Sequence, residues 1–359
     1  MENVVNAWPE KESYQERRVL ITGHNGFKGT WLSHWLSEYG AKLYGLSLPP
    51  EDYSFFHHTN LDETMCSYTG DVGDTAFVRD VVSRVKPDII FHLAAEAIVN
   101  RAYQTPVETY RTNVMGTVNI LHAAREQGSG VPVVVVTTDK CYQNEEWLWP
   151  YRETDRLGGA DPYSSSKACA ELVTHAFAKS YDASASKVVT CRAGNVVGPG
   201  DWAPYRLVPD IFRALKAGTP VKIRNPRATR PWQHVLEPLR GYLVLGQKLL
   251  KADELIQYAW NFGPFREDSV NVKSFTEAAI RQIGSGEYEI ATSPDARHEA
   301  MNLALDWSCA KTYLSWSPAW RLSETIAMTI AGYKAFLDES DVNQMMTDQL
   351  VRYEQAVTE

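Results

Sequence analysis

The sequence predicts an α/β protein, a doubly wound parallel sheet with a smaller region of different character behind it. Three observations carry this. Short apolar runs alternate with segments of helical period through the first half of the chain. A glycine triplet, Gly23, Gly26 and Gly29, falls between the first run and the first helix. After about residue 195 the alternation gives way to Pro-, Trp- and Arg-rich stretches of weaker period.

Taken in order, Arg18-Val19-Leu20-Ile21-Thr22 reads as a first strand. The helix after it has Trp31, Leu32, Trp35 and Leu36 among its apolar residues. Lys42 to Leu48 is a second strand, stopped by Pro49-Pro50. Phe77 to Val85 is helical, with Phe77, Val78, Val81, Val82 and Val85 on one side, and Pro87 breaks it. Asp88 to Leu93 is the next strand, and Val107 to Glu126 a long helix. Val133 to Val136, four valines, suits a strand buried on both faces. Helix 164–181 and strand Lys187 to Arg192 complete the series. The expected division is a dinucleotide-binding domain over 1–194 and a mainly substrate-binding α/β region over 195–359, with 235–262 returning to the first domain.

Bulk properties narrow the partners. Hydrophobic residues are 44% and charged residues 22% of 359, as in a soluble globular protein. The net charge of −8 is spread without a basic run, which argues against nucleic acid. No apolar stretch approaches the ~18 residues of a membrane span, and the first residues lack the apolar core of a signal peptide. Five scattered cysteines without CxxC fit reduced thiols in a cytoplasm rather than a disulfide or metal framework. A cytoplasmic enzyme without metal is expected.

Gly23-His24-Asn25-Gly26-Phe27-Lys28-Gly29 joins strand to helix. Such glycines allow a tight turn, close approach of a diphosphate, and close helix–strand packing, with the helix N-terminus facing the phosphates. The alternative is a simple turn. Strand two ends Gly45-Leu46-Ser47-Leu48, with neither the ribose-binding acid nor an arginine for a 2′-phosphate, which favours NAD over NADP. In Gly70-Asp71-Val72 the acid either bonds an adenine amino group or caps the helix that follows.

Tyr163-Ser164-Ser165-Ser166-Lys167 puts a phenol and an ammonium at i and i+4, on one helix face. The ammonium should stabilise phenolate, making Tyr163 a base for a sugar hydroxyl. The four-valine strand ends in Thr137-Thr138-Asp139-Lys140, two hydroxyls, an acid and a base at the carboxyl edge where ligands of such sheets collect. A solvated polar turn is the plainer reading. His92, inside an apolar strand, reads as a satisfied core histidine.

On these residues the chain resembles the extended short-chain dehydrogenases/reductases that act on nucleotide sugars. Thr138, Tyr163 and Lys167 match the family's Thr/Ser–Tyr–Lys triad, and the glycine loop its GxxGxxG form. Within it the likeness is to the CDP-glucose 4,6-dehydratases, through ITGHNGFKGTWLSHWL, YRTNVMGTVNIL, TTDKCYQNEEW, YRETDRLGGADPYSSSKACAELV, CRAGNVVGPGDWAPYRLVPD and RNPRATRPWQHVLEPLRGYL, with HEA at 298–300 and YLSWSPAW at 313–320. It runs from about residue 16 to about 335. Asp139-Lys140 is the telling pair, since the dTDP-glucose dehydratases carry Asp-Glu there.

The resemblance implies a Rossmann-type fold, NAD as cofactor, and a nucleotide-hexose substrate. The reaction implied is oxidation at C4, loss of water across C5–C6 and hydride return to C6. Thr138 would bond the C4 oxygen, Tyr163 take the hydroxyl proton, Asp139 protonate the leaving hydroxyl, and Lys140 act at C5 or position its neighbours. Leu93, Ala94, Ala95 and Val72 would line the cofactor. Glu96, Asn195, Asp201, Trp202, Arg206 and Arg230 are the candidate substrate residues; for Trp202 and Trp232 a core role is equally open. Where the family typically has LAAQPLVR this chain has Leu93-Ala94-Ala95-Glu96-Ala97-Ile98-Val99-Asn100, a departure that bears on the substrate. An epimerase, decarboxylase or reductase on the same scaffold is the competing reading, and a non-catalytic dinucleotide sensor a third. Family likeness also implies a homodimer or dimer of dimers through helices 107–126 and 164–181.

Overall fold

Runs of four to six apolar residues are too short for stable helices, but a parallel sheet covered on both faces buries them completely. In the computed structural model, which describes residues 6–128, 130–181, 187–291 and 301–358, seven strands form one parallel sheet, and its central strands are such runs. The seven are β1 Arg18–Thr22, β2 Lys42–Ser47, β3 Cys66–Thr69, β4 Ile89–His92, β5 Val133–Val136, β6 Val188–Ala193 and β7 Ala259–Phe262. Their order is β7-β6-β5-β4-β1-β2-β3. The winding reverses between β1 and β4, so the loops leaving those strands diverge and open a crevice over the carboxyl edge. The HEA stretch at 298–300 lies outside the described residues.

Helices cover the two faces. On one lie α1 Phe27–Glu38 and α6 Leu236–Leu250. Trp31, Leu32, Trp35 and Leu36 of α1 are buried there with Leu236, Leu239 and Leu243 of α6. On the other, α2 Thr75–Val85 and α3 Gly116–Arg125 pack Val78, Val81, Val82, Ile120 and Leu121 against Val133 and Val135. The 19-residue α4, Pro162–Ser180, completes this layer, with Asp161 capping its first turn by accepting from the Ser164 amide. The expected single helix 107–126 is interrupted. Pro106–Tyr110 and Gly116–Arg125 are α-helical, and Arg111–Met115 between them is a π turn.

Strand β7 and helix α6 place 235–262 in the sheet layers. The outer region holds α5 Leu207–Ala217, α7 Val272–Ile283, α8 Leu322–Leu337 and three two-stranded ladders, around Val208, Phe212, Trp232, Phe275 and Tyr333. In the last helix, α9 Val342–Thr358, the residues Val342, Met346, Leu350, Tyr353 and Val357 form one apolar stripe that closes over α1. Tyr353 meets Trp35 edge-on at 6.3 Å.

Candidate active site

The carboxyl edge of the sheet opens into a cleft of about 1550 Å³, lined from the glycine loop through the ends of β4, β5 and β6 to residues 200–206, 224–225 and Arg230. Each wall follows from local sequence. Gly23 has φ +71°, and a Cβ there would come within 2.9 Å of the Ala94 backbone. A Cβ on Gly29 would fall on the Gly23 carbonyl, so only glycine lets α1 begin this close to β1. The amide end of α1 thus faces the cleft, as a diphosphate requires. Asn25 ties the loop to the end of β2: its amide donates to Leu48 O at 2.8 Å and its oxygen accepts from Ser47 Oγ at 2.7 Å. Phe27 and Lys28 line the same wall, and burial lowers the Lys28 ammonium to about 7.

Asp71 and Val72 sit at the far end of this wall. Asp74, not Asp71, caps α2, through the amides of Ala76 and Phe77. Asp71 instead accepts from the Gly73 amide at 2.8 Å and pairs with Arg111 at 3.4 Å, at the cleft edge. Leu93, Ala94, Ala95 and Glu96 follow β4. Glu96 is held by the Ile98 amide at 2.9 Å and by Arg101 at 3.5 Å, and Arg101 also reaches Glu51 at 3.5 Å. His92 is core, between the hydroxyls of Thr22 (2.7 Å) and Thr117 (3.2 Å), and burial keeps it neutral down to about 3.

Thr138, Asp139, Lys140, Tyr163 and Lys167 all line the cleft. The Thr138 hydroxyl donates to Asp139 Oδ1 at 2.9 Å, while Asp139 Oδ2 is buried without a hydrogen-bond partner among the described residues. Burial raises the Asp139 pKa, against the pull of Lys140, so the acid form persists to higher pH than usual. One expectation needs correcting. Tyr163 and Lys167 do share a helix face, but Lys167 Nζ donates to the Val136 carbonyl at 3.1 Å. Burial pushes the Tyr163 phenol up to about 12, opposed by the Thr138 hydroxyl and Arg206 rather than by Lys167, which burial lowers to about 8.

The candidate substrate residues divide. Asn195, Asp201, Trp202, Arg206 and Arg230 line the cleft. Burial raises Asp201 while Arg206 opposes it. Arg230 is buried and donates to Thr229 O at 2.9 Å. Trp202 also packs edge-on against Tyr333 at 4.9 Å. Trp232 is core, its ring tilted at 31° against Phe275 with centroids 4.2 Å apart and its Nε1 donating to Val270 O. Tyr53, Asn144, Tyr205, Arg224 and Asn225 line the cleft too. Nothing in their local sequence marks them, since their loops meet the cleft only through the tertiary fold.

This geometry can now be set beside known proteins. A model of the GDP-mannose 4,6 dehydratase family matches residues 20–329. The chain belongs to that family. A CDP-glucose 4,6-dehydratase from Salmonella typhimurium is 42% identical over 97% of this chain and 99% of its own length. A dTDP-glucose 4,6-dehydratase from Xanthomonas campestris pv. campestris is 28% identical over 74% of this chain and 77% of its own. Among solved structures, a dTDP-glucose 4,6-dehydratase from Streptomyces venezuelae with NAD and TYD bound has a TM-score of 0.78 at 22% identity, covering 90% of this chain and 99% of that one. A UDP-glucose 4-epimerase from Thermotoga maritima has a TM-score of 0.77 at 23% identity, over 89% and 99%. The fold is thus shared by dehydratases and epimerases alike, and the site residues must separate them.

Proposed function

We propose that this family member is an NAD-dependent 4,6-dehydratase of a nucleotide-activated hexose, CDP-glucose, yielding the 4-keto-6-deoxy sugar. The observation that carries it is the end of β5, where Asp139 and Lys140 stand beside Thr138 and the Tyr163–Lys167 pair in one cleft. An epimerase needs the latter three groups but no acid and base to expel water. The relative at 42% identity across nearly the whole chain supports the cytidine nucleotide and glucose.

The glycine loop fits a dinucleotide, since its two critical glycines stand where a Cβ would collide with backbone. Gly23, Asn25, Gly26, Phe27, Lys28 and Gly29 would hold the diphosphate, with Asp71 and Val72 at the adenine and Leu93, Ala94 and Ala95 beside the nicotinamide. NAD, when bound, supplies a hydride acceptor for C4 and a hydride donor for C6. Tyr163 takes the C4 hydroxyl proton, with Thr138 hydrogen-bonded to the same oxygen. The ketone acidifies C5–H; Lys140 or a water it holds removes that proton and returns one to C5 once hydride has reached C6. Asp139, whose acid form burial favours, protonates the departing C6 hydroxyl. Lys167, on the same helix face as Tyr163, would hold the cofactor beside it. Arg206 and Arg230 suit the substrate diphosphate, and Asn195, Asp201, Trp202 and Glu96 line the remainder of the cleft.

The same reading places the protein in the cytoplasm as a homodimer. No helix of the described residues is long and apolar enough to cross a membrane. Val107, Tyr110, Met115 and Leu172 leave exposed apolar side chains on the segments expected to pair. The test is incubation with CDP-, dTDP-, GDP- and UDP-hexoses plus NAD, followed by mass spectrometry. Loss of one water from CDP-glucose is expected, and turnover of all four without change in mass would indicate an epimerase.

A further inference from the structure

The face of α4 that carries Tyr163 and Lys167 continues one turn further to Glu171, a residue with no part in the steps above. Positions 163, 167 and 171 are successive i, i+4 neighbours, so their side chains form one stripe. The stripe lies against the end of β5. Lys167 donates to the carbonyl of Val136, and Glu171 accepts from the hydroxyl of Thr137. The next residue, Thr138, interacts with Tyr163. The other Glu171 oxygen accepts from Thr190 Oγ1 and from Arg192 Nη2, both at 2.7 Å. Both members of this ion pair are wholly buried.

A wholly buried ion pair is a poor source of stability, because desolvating two ions offsets most of their attraction, and apolar residues of the same volume commonly do as well. The charge therefore needs another reason. Facing Lys167 are Glu171 from its own helix, Lys28 from the glycine loop, His92 from β4 and Cys141 beyond β5. Burial keeps His92 and the Cys141 thiol neutral, and Lys28 repels. Asp139 and Arg206 face Lys28 and Tyr163 instead. Glu171 stays ionised: burial pushes its carboxyl up, but Arg192, Thr137 and Thr190 together bring it below the ordinary range.

We propose that Glu171 is a positioning residue of this site, fixing the end of β5 through Thr137 and supplying the negative charge that holds Lys167 as an ammonium. The inference rests on the reading of Tyr163 and Lys167 as the acting pair. Burial draws Lys167 down to about 8, and Glu171 opposes that fall.

The test follows Lys167 itself, in the whole protein without substrate. Acylation by acetic anhydride across a pH series, read by peptide mass spectrometry, reports where its ammonium gives up the proton. Glu171→Gln keeps the side-chain shape and deletes the charge, so Lys167 should titrate about one pH unit lower. That variant leaves Arg192 buried and unpaired, so Glu171→Gln/Arg192→Gln is measured beside it, with a smaller downward shift expected because a buried cation is removed with the carboxylate. Glu171→Asp keeps the charge and should return the titration to its wild-type position. An unchanged Lys167 titration in the amide variants, or failure of the double amide variant to fold, would make the pair structural and overturn the proposal. A protein whose Lys167 responds as described but which dehydrates no nucleotide sugar would instead sink the assigned reaction, so the two failures are separable.

Discussion

Asp139 is a carboxyl group buried with one oxygen unpartnered and its pKa raised by burial. A raised folded-state pKa favours the protonated form, so this group's contribution to stability is greatest below its unfolded pKa. It is lost as pH climbs through the folded value. At neutral pH the ionised form is penalised. Asp139→Asn should therefore melt higher than wild type at pH 7, with the difference vanishing below about pH 4. It should lose dehydration by ~10²–10⁴-fold. Thermal unfolding at both pH values checks the first half; a variant no more stable at pH 7 would mean the carboxylate is better solvated than its burial indicates. Tyr163→Phe acts earlier, on C4 oxidation, so neither enzyme-bound NADH nor dehydrated product should form. Asp139→Asn and Lys140→Met should still show NADH absorbance in a single turnover. A Lys140→Met enzyme that dehydrates at near wild-type rate would remove that lysine from the mechanism.

At the scale of elements, the glycine loop is the part most dependent on local geometry. Gly29→Ala places a methyl on the Gly23 carbonyl and must push α1 from β1, at a cost of ~1–3 kcal/mol. Its NAD affinity should fall more than its affinity for the nucleotide sugar, as calorimetric titration of each ligand would reveal. Equal losses would mean that the loop serves the whole cleft rather than the cofactor. The strands legible in the sequence were those with unbroken apolar runs, such as Val133–Val136. Strand β3, Cys66–Thr69, escaped notice because it is an edge strand with mostly exposed, polar side chains, so no apolar signal marks it. The π turn at Arg111–Met115 was equally hidden, since one residue's change in helical period hardly alters an apolar pattern. It carries Asn113, which donates to Ser166 Oγ on α4 at 2.8 Å and to the Glu96 carbonyl at 3.1 Å. The Tyr163–Lys167 pair was readable because its spacing is set by α4 alone. The Lys167–Val136 contact and the Glu171 network were not, because they depend on how α4 meets β5.

For the whole molecule, the crevice at the β1/β4 reversal brings the glycine loop, the β5 terminus and the arginines of the outer region into one cleft. If the exposed faces of Val107 and Leu172 meet a second copy, Val107→Glu/Leu172→Glu should sediment as a monomer while the wild type sediments as a dimer. A monomeric wild type would contradict the assembly without touching the chemistry. The central claim is that hydride leaves C4 and returns to C6 within one active site, with water lost between. The direct measurement is turnover of CDP-glucose deuterated at C4, with catalytic NAD, read by NMR and mass spectrometry. The deuterium should appear in the C6 methyl of a product lighter by one water, with no NADH accumulating. Deuterium retained at C4 in a product of unchanged mass, or passed to NADH in proportion to product, would contradict it.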